Sequence, residues 1–407
     1  MLRDSHKCDG SQVNTCRPKV IFVASWYPNE DHPLNGIFIQ RHARAILPWC
    51  DVGVVYVHQS LGRTWSEREV LVTEEDGIKT VRVYLSRSPF GKIPLNLVFE
   101  RTVNSPLLHA VRGIGHMVRE LGGVDLIHLN VVPHLGLAAA LAARYLAVPL
   151  VTSEHSSHYH NAPPEGLQRR IGRWVLESSR VVLPVSRALA RDLGAIAPGA
   201  RFRIVPNIVD TSFFVPPRGS RAVPVKRMIH VSLLRDSDKN VSGLLAATRQ
   251  LKERRKDFEL HIVGDGPDRS RLEDLSRALD LSDVTVFHGR VDSPGLRDLL
   301  QQSHVFVLNS RYETFSIVGA EALACGVPVV STRCGGPEDY LDGSNGILID
   351  VGDTDGLVAA MDRMLDSWDR YDGEALHASI AEKYSAESVG QQLVSVYDEV
   401  IGLSPGD

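Results

Sequence analysis

Two glutamates stand eight positions apart in the segment RYETFSIVGAEALACGVPVVS, residues 311–331. A helix predicted to begin at Ser316 leaves Glu313 in the loop ahead of its tip and places Glu321 inside it, about 7–8 Å along the axis. The first N–H groups of that helix, around Thr314–Ile317, lack helical acceptors and can bind an oxyanion. An acid before a helix N-terminus is stabilising by itself. Helix stability does not explain Glu321, because a carboxylate among apolar residues needs partners.

The segment HIVGDGPDRSRLEDL, residues 261–275, is typical of a strand that enters a helix through a glycine-rich turn. Gly264 and Gly266 allow a ligand to approach the backbone, and the helix N-terminus after Pro267 favours an anion. A tight turn without a ligand is an equally good interpretation of this fragment. It is not a dinucleotide-binding fingerprint, because Pro-Asp-Arg follows the second glycine.

The segment HVSLLRDSDKNVSGLL, residues 230–245, carries Arg235 and Lys239 in a loop between a predicted strand and a helix. Cations at the carboxyl end of a strand are placed to meet phosphate, although a solvated loop explains them as well. Asp236-Ser237-Asp238 matches a D-x-D metal-binding pattern. We discount that match because Asp353-Thr354-Asp355 has the same pattern and because Lys239 would compete with a metal.

Three histidines follow another predicted strand in VTSEHSSHYH, residues 151–160. Their H-x-x-H-x-H spacing is compatible with a metal site, but polar loop histidines are the better interpretation. His155 is the sharper candidate for a histidine in a cleft, and His128 and His134, beside a neighbouring strand end, are weaker ones.

The segment QRRIGRWVLESSR, residues 168–180, predicts a basic, partly amphipathic helix with Arg169, Arg170, Arg173 and Trp174. Such a helix can touch an anionic membrane surface or a lipid-linked substrate. A solvated helix face is the alternative, and it is the commoner explanation of such a pattern.

These candidate residues lie in a chain whose predicted strands alternate with helices. That alternation predicts right-handed βαβ units and parallel sheets. At 407 residues the chain is long enough for more than one domain. The alternation breaks at a Pro-, Gly- and Arg-rich stretch near 212–225 and then restarts. We therefore predict an α/β fold of two Rossmann-like, doubly wound domains that face each other across a cleft, with ligands at the carboxyl ends of the strands.

The predicted domain boundaries follow from that break. They are a disordered tail at 1–17, an N-terminal domain at 18–215, a C-terminal domain at 216–385, and a final helix at 386–407 that packs back towards the N-terminal domain. Within the first domain we predict helices at about 37–47, 134–146, 166–178 and 187–194, a hairpin in VTEEDGIKTVRVY, a strand at Phe202–Val205, and an irregular stretch over 60–105.

Composition excludes some classes of function. Lys+Arg is 45 and Asp+Glu is 49, a net charge of −4, which argues against a strongly basic nucleic-acid binder. The five cysteines match neither a zinc site nor a disulfide framework, so we expect free thiols in a reducing cytosol. The chain shows no signal-peptide pattern and no apolar run of the roughly 18 residues that span a membrane, so a cytoplasmic protein is expected.

Taken together, these segments resemble the retaining glycosyltransferases of family 4, which have the two-domain GT-B fold. The resemblance covers roughly 19–402. In the second half it rests on VGDGPDRSRLEDL, VTVFHGRV, the long segment from LRDLLQQSHVF to GGPEDYL, and NGILI; in the first half it rests on SWYPNEDHPLNGIF, DLIHLN, TSEH, PVSRAL and RIVPNIVD. Each segment is weakly specific, but their order and spacing are specific together. Glu313 and Glu321 form the E-x7-E element of that family.

The resemblance implies a nucleoside-diphosphate sugar held mainly by the C-terminal domain, with an acceptor on the N-terminal side. Three residues would be catalytic: Lys239 on the diphosphate, Glu313 beside the donor sugar, and His155 near the reacting sugar. Glu321 would take the ribose hydroxyls, and the segment 287–290, with His288, would border the base. The donor-binding residues predicted in all are Gly36, Arg235, Lys239, Gly264, Gly266, His288, Thr314, Phe315, Ser316, Ile317 and Glu321.

Two departures from the family pattern bear on these roles. Leu233 stands where the family often has an arginine, so Arg235 would have to replace it. Thr314-Phe315-Ser316 stands where Gly-Phe-Gly often follows the first glutamate, which adds hydroxyls but leaves the backbone less free to adapt.

The expected function is metal-independent transfer of a hexose-type sugar, with retention of configuration, to a hydroxyl of a glycan, lipid-linked or small-molecule acceptor. Polysaccharide biosynthesis, a cytoplasmic site of action with peripheral membrane contact, and no nucleic-acid partner are expected with it. The alternatives are a sugar-nucleotide epimerase or hydrolase of the same fold, and a sugar-nucleotide-binding subunit without catalysis.

Overall fold

The computed structural model describes residues 17–60, 69–86, 106–219 and 224–402. The predicted tail lies outside the described residues except for Arg17, whose guanidinium pairs with Asp51 at 3.3 Å. Residues 61–68 and 87–105 of the stretch predicted to be irregular also lie outside them.

The first domain is built on a seven-stranded sheet in the order β3-β4-β2-β1-β5-β6-β7. All of its neighbouring strands are parallel except the β3/β4 pair. That pair confirms the predicted hairpin, whose turn residues Asp76 and Gly77 both have positive φ, of 51° and 79°. The strands are β1 (Lys19–Ala24), β2 (Asp51–Ser60), β3 (Glu69–Glu75), β4 (Ile78–Ser86), β5 (Leu126–Asn130), β6 (Leu150–Glu154) and β7 (Val181–Pro184).

The second domain is built on a six-stranded, all-parallel sheet in the order β10-β9-β8-β11-β12-β13. Both sheets are covered by helices, so the predicted α/β architecture of two parallel-sheet domains is confirmed. The strands are β8 (Lys226–Val231), β9 (Phe258–Val263), β10 (Thr285–Gly289), β11 (Val305–Leu308), β12 (Val329–Thr332) and β13 (Gly346–Ile349).

The helices connect these strands and cover both sheets. They are α1 (Ile37–Ala45), α2 (Pro106–Leu121), α3 (Gly136–Leu146), α4 (His158–Asn161), α5 (Gly166–Ser178), α6 (Arg187–Ile196), α7 (Asp236–Lys239), α8 (Val241–Arg254), α9 (Arg269–Ala278), α10 (Ser293–Gln301), α11 (Ile317–Ala324), α12 (Thr354–Ser367), α13 (Gly373–Tyr384) and α14 (Ala386–Gly402), with 3-10 turns at Gly336–Asp339 and Trp368–Arg370.

Local structure differs from the sequence prediction in several places, and two differences in the first domain have a clear physical cause. The strand predicted at Phe202–Val205 is wrong: Phe202 makes only an isolated bridge with Val182. Pro184, which has no N–H, ends β7 and stops a longer ladder from forming. The prediction also lacks α2, whose Gly113 lowers helix propensity. Packing explains that glycine, because a Cβ there would lie 2.7 Å from Cγ1 of Val55.

The last helix, α14, packs against the first domain, although it follows the second domain in sequence. Its buried Val389, Leu393 and Val396 belong to the same apolar cluster as Phe22 of β1. The hydroxyl of Tyr397 also lies 2.6 Å from Nδ1 of His128 in β5. The two ends of the described chain therefore share one core.

Five buried histidines have lowered pKa values, chiefly because burial disfavours the charged ring. The pKa is about 4 for His42, about 3 for His128, about 4 for His230 and about 4 for His261, and it lies well below 6.5 for His155. These rings are neutral in the folded protein at neutral pH.

We expect the free energy of unfolding to fall as the pH falls from about 6.5 towards 4. In that window the unfolded chain binds protons that the folded rings exclude, so stability rises with pH. Each histidine contributes up to about 1.4 kcal/mol per pH unit. The raised pKa values of buried Glu154 and Glu321 have the opposite effect on stability above pH 4.5. These two carboxyl groups offset only part of the effect of the five histidines.

Urea unfolding at several pH values across this window measures the effect. The variant His128→Gln serves as the control. It should lower the slope of the unfolding free energy against pH by up to about 1.4 kcal/mol per pH unit, the contribution of one proton. A stability that does not change between these limits would contradict the assignment of neutral buried rings.

Candidate active site

Lys239 and Glu313 meet at the carboxyl edge of the second sheet. Lys239 ends α7, the helix after β8, and Glu313 lies in the loop after β11. The order of strands reverses between β8 and β11, and ligands of open α/β sheets bind at such switch points. Lys239 Nζ donates to Glu313 Oε1 at 2.6 Å, and Ser310 Oγ donates to the same oxygen at 2.7 Å. The ammonium has three N–H bonds, and only one has a partner among the described residues, so two remain for an anion.

The tip of α11 lies directly after Glu313 and presents free amides. Among the described residues, the N–H groups of residues 314–318 have no hydrogen-bond acceptor. Ser316 caps the helix with φ 65°, in the left-handed region that favours glycine, and its buried Oγ has no partner within the same part of the chain. A glycine, which is common at this position in the family that the sequence resembles, would adopt this conformation without strain. With Ser316 the left-handed conformation costs about 1–2 kcal/mol.

Glu321 lies on the flank of α11 and contacts the other domain. Its side chain is 8% exposed, and Oε1 lies 3.4 Å from a guanidinium nitrogen of Arg41 in α1. Burial raises the pKa of the Glu321 carboxyl, and Arg41 opposes that shift. Arg41, a residue that no sequence motif indicates, is therefore the partner that this buried carboxylate needs.

His155 lies at the carboxyl end of β6, buried in the N-terminal domain. Its Nδ1 lies 2.9 Å from Oδ1 of Asn207, and its ring packs on Phe38 with the centroids 4.4 Å apart. Its Nε2 is buried and has no partner among the described residues. An oriented imidazole with one unpartnered nitrogen has a hydrogen-bonding site left for a ligand in the cleft.

Glu154, the residue before His155, is fully buried and accepts four hydrogen bonds. They come from the backbone N–H groups of Val132, His155 and Ser156, at 2.9–3.1 Å, and from the hydroxyl of Tyr159 at 3.1 Å. One carboxylate thus joins the loop after β5 to the loop after β6 and fixes the backbone of His155. Glu154 was not among the predicted site residues, although TSEH was recognised as a family segment.

The two domains also meet beside Glu313. The hydroxyl of Tyr312 donates to Asp192 of α6 at 2.5 Å, and the ring of His160 stacks on the Tyr312 ring at 3.7 Å. Burial and the Asp192 carboxylate raise the pKa of the Tyr312 hydroxyl, so it remains a donor. Nearby, Arg187 Nε donates to Asp339 at 2.7 Å. These contacts join the two domains beside Glu313.

Replacing Tyr312 with phenylalanine should open the cleft. A hydrogen bond to a carboxylate contributes about 1.5–3 kcal/mol, so the open-to-closed ratio should rise by about one to two orders of magnitude. Small-angle scattering should show a larger radius of gyration. His160→Phe is the control, because it keeps the stack on Tyr312 and loses only the contact with Asp192. Equal scattering from Tyr312→Phe and from the unmodified protein would refute the closing role.

Three predicted glycines lie where protein backbone excludes a side chain. A Cβ on Gly264 would lie 1.9 Å from the oxygen of Ser232, and one on Gly266 would lie 2.6 Å from the oxygen of Leu234. Gly36 caps α1 with φ 69°, and a Cβ there would lie 2.4 Å from the carbonyl of Trp26. Close packing of neighbouring loops therefore requires all three, and their contact with a ligand stays a prediction.

Arg235 and His288 lie at the edge of the same region. The Arg235 side chain is 55% exposed and lies 3.8 Å from Asp238. Nε2 of His288 lies 2.8 Å from Nδ1 of His261, which in turn contacts Glu259. Neither side chain joins the Lys239–Glu313 pair, so their roles as phosphate and base contacts remain predictions.

The residues weighed as metal ligands have other partners. Asp236 accepts from the N–H of Ser242 at 2.8 Å and pairs with Arg271 at 2.8 Å. Of the three histidines after β6, His155 is buried while His158 and His160 are exposed. Within 17–60, 69–86, 106–219 and 224–402, no three His, Cys, Asp or Glu side chains converge on a common point that could hold an ion.

Two family models match consecutive parts of the chain. "Glycosyltransferase Family 4" matches residues 53–213, and "Glycosyl transferases group 1" matches residues 221–380. Their junction falls in the stretch that separates the two sheets. Together they cover most of the chain.

Similar proteins carry names of the same class. N-acetyl-alpha-D-glucosaminyl L-malate synthase of Bacillus anthracis is 28% identical over 298 residues, which cover 70% of this chain and 77% of that protein. Alpha-D-kanosaminyltransferase of Streptomyces kanamyceticus is 26% identical over 349 residues, which cover 79% and 90%.

Solved structures share the fold. Sucrose-phosphate synthase from Thermosynechococcus elongatus superposes with a TM-score of 0.73 at 20% identity, over 95% of this chain and 100% of that one. Anabaena HepE in complex with UDP superposes with a TM-score of 0.70 at 16% identity, over 94% and 100%. At these identities the likeness establishes the fold, and it confirms the predicted pair of Rossmann-like domains.

Proposed function

The chain belongs to glycosyltransferase family 4 and has the GT-B fold, and from that premise we propose that it transfers a hexose-type sugar from a nucleoside-diphosphate sugar to an acceptor hydroxyl. The proposal includes retention of configuration and independence from metal ions. The names of the two relatives, which refer to glucosaminyl and kanosaminyl groups, support a hexose-type sugar.

The observation that carries the proposal is that two sets of hydrogen-bond donors, the Lys239 ammonium and the unpaired amides at the tip of α11, both lie at the carboxyl edge of the second sheet. Two N–H bonds of the Lys239 ammonium and the N–H groups of residues 314–318 can all donate to the oxygens of a diphosphate. In this assignment Glu313 orients Lys239 and borders the donor sugar. Glu321 takes the ribose hydroxyls and His288 lies near the base.

Sugar transfer generates charge at two places, and the site can answer both. The departing diphosphate gains negative charge, which Lys239 and the tip of α11 stabilise without a metal. The anomeric carbon becomes oxocarbenium-like, as in glycosidases, and in this assignment the Glu313 carboxylate would stabilise that charge. In front-face transfer the leaving phosphate takes the proton of the acceptor hydroxyl. His155 would hydrogen-bond the reacting sugar through Nε2, which has no partner among the described residues.

We further propose that the acceptor binds on the N-terminal domain, with peripheral membrane contact if it is lipid-linked. In α5, Leu167 is 69% and Trp174 38% exposed. Arg170 is exposed without an ion-pair partner among the described residues, whereas Arg173 pairs with Glu177 at 2.9 Å. None of the helices in the described ranges is both long and apolar enough to cross a bilayer. Co-sedimentation with anionic vesicles, lost in Arg170→Glu, tests this contact.

Product analysis tests the transfer itself. The protein is incubated with UDP-, GDP-, ADP- and TDP-sugars and candidate acceptors, and the products are identified by mass spectrometry and NMR. A glycosylated acceptor with the anomeric configuration of the donor supports the proposal. Epimerised donor without nucleotide release supports an epimerase, free sugar in every reaction supports a hydrolase, and binding without turnover supports a non-catalytic subunit.

A further inference from the structure

A cavity of about 680 Å³ lies at the carboxyl edge of the first sheet. It is formed by the loops after β1, β5 and β6 and by helices α3, α4 and α5, at the point where the strand order reverses between β1 and β5. Its size lies within the roughly 300–1,000 Å³ of small-molecule sites. We call it the β1–β5 cavity. Its main walls are Trp26, Val132, Leu137, Tyr159, Ile171 and Gly172.

The lining of the β1–β5 cavity is uncharged. None of the described residues that line it is Asp, Glu, Lys or Arg. Val132 and Tyr159 are buried walls, and the Tyr159 hydroxyl is committed to Glu154. The polar side chains of His134, His158 and Gln168 are exposed at the mouth, and the buried Ser156 hydroxyl accepts a hydrogen bond from the N–H of His158 at 3.2 Å. A charged group inside would lose its hydration without gaining a partner, so the interior suits an apolar, uncharged occupant.

The walls are held in one arrangement, as a binding site requires. Glu154 ties Val132 to the loop after β6, and Ser25 Oγ donates to the oxygen of Val131 at 2.6 Å. Val131 and His134 have φ of 69° and 76°, in the left-handed region that a β-branched residue rarely adopts. Strained backbone that persists in this way concentrates at ligand sites.

The β1–β5 cavity adjoins the candidate catalytic histidine. The Trp26 ring meets the Phe38 ring edge-on at 6.2 Å, and Phe38 packs on His155 at 4.4 Å. The rings of Trp26 and Phe38 therefore separate an occupant of the cavity from the unpartnered Nε2 of His155. A group held there would be anchored close to the centre where the sugar is transferred.

We propose that the β1–β5 cavity binds an uncharged alkyl or aromatic part of the acceptor, next to the hydroxyl that receives the sugar. This inference rests on the proposed function and names the acceptor class for it. The apolar group belongs either to a soluble aglycone or to the first part of a lipid chain. Both share the chemistry that the walls recognise, and the experiment separates them.

Gly172 gives a way to fill the cavity without disturbing its walls. It lies inside α5, it lines the cavity, and a Cβ there would meet nothing within 4 Å. Gly172→Leu therefore places a side chain in the empty space. Gly115→Leu is the matched control, because Gly115 lies inside α2, away from the cavity, and also has nothing within 4 Å of an added Cβ.

Calorimetry with alkyl β-glucosides of increasing chain length, from methyl to hexyl, tests the proposal on the full chain. Each methylene should tighten binding by about fourfold, the equivalent of about 0.8 kcal/mol per buried CH₂, until the cavity is full. Gly172→Leu should abolish this dependence on chain length, and Gly115→Leu should keep it. Binding that ignores chain length, or that Gly172→Leu leaves unchanged, would overturn the proposal.

Two further arms complete the test. Affinity that stops rising at hexyl supports a soluble aglycone, whereas further gain with dodecyl glucoside in lipid vesicles supports a lipid chain. Nucleotide-sugar binding is measured in the same samples. If nucleotide sugars bind but chain length has no effect, the cavity assignment fails while the proposed function stands. If no nucleotide sugar binds, the proposed function itself fails.

Discussion

Replacing Lys239 with methionine is expected to lower kcat for sugar transfer by about 10²–10³-fold, the effect of removing one preorganised donor at a site of developing charge. The ammonium lies at the switch point of the second sheet with two N–H bonds available for the leaving diphosphate. Steady-state kinetics with a nucleotide sugar measure the effect. Methionine keeps most of the side-chain volume, so the change removes charge and leaves packing nearly unaltered.

The single substitution also leaves the Glu313 carboxylate, 11% exposed, without its ion-pair partner. Part of any loss could then come from instability, because an unpaired buried charge is destabilising. The double variant Lys239→Met/Glu313→Gln removes both charges and should regain most of the lost stability, measured by urea unfolding. Activity should stay low. Because Glu313 also has a proposed catalytic role, Glu313→Gln alone is measured beside the double variant. Equal activity of the double variant and Glu313→Gln would show that Lys239 acts only as a structural partner of Glu313.

Replacing Glu321 with glutamine is expected to weaken the binding of a nucleotide sugar by about 10²-fold or more. Hydrogen bonds to a charged group contribute about 1.5–3 kcal/mol each, and a ribose offers two hydroxyls to this carboxylate. Calorimetry with a ribonucleotide sugar and its 2′-deoxy analogue measures the effect. The unmodified protein should prefer the ribonucleotide, and Glu321→Gln should have lost that preference.

Arg41→Met is the control for this second prediction. Glu321 lies 3.4 Å from Arg41, so the carboxylate could serve only to join the two domains. In that case Arg41→Met would weaken nucleotide binding as much as Glu321→Gln does, and both would leave the preference for ribose unchanged. If Glu321 binds ribose, Arg41→Met keeps the preference and affects mainly domain closure.

The sequence predicts the frame of this protein better than its contacts. Alternating strands and helices, with a break near 212–225, were sufficient to predict two parallel-sheet domains, because hydrophobic periodicity is a local signal. The hairpin was predictable from Asp76-Gly77, since two positive φ angles suit that dipeptide. Helix α2 was not, because Gly113 is there for contact with Val55, a partner distant in sequence.

The same distinction applies to the site. The need of Glu321 for a partner follows from its apolar surroundings, but Arg41 lies 280 positions away and only the fold brings it near. Likewise, nothing local indicates that Asn207 contacts His155 or that Tyr312 joins Asp192 across the cleft. Glu154 was not predictable for a different reason. In the sequence, an acid at the end of a strand looks like a solvated residue, and only the structure shows the four donors that surround it.

The most direct test of the proposed metal-independent transfer is the release of nucleoside diphosphate from a nucleotide sugar in the presence of EDTA, with and without acceptor. We expect release that depends on the acceptor, is insensitive to EDTA, and falls by about 10²-fold or more in Lys239→Met/Glu313→Gln. Release that EDTA abolishes, or that the double variant carries out at the unmodified rate, would contradict it.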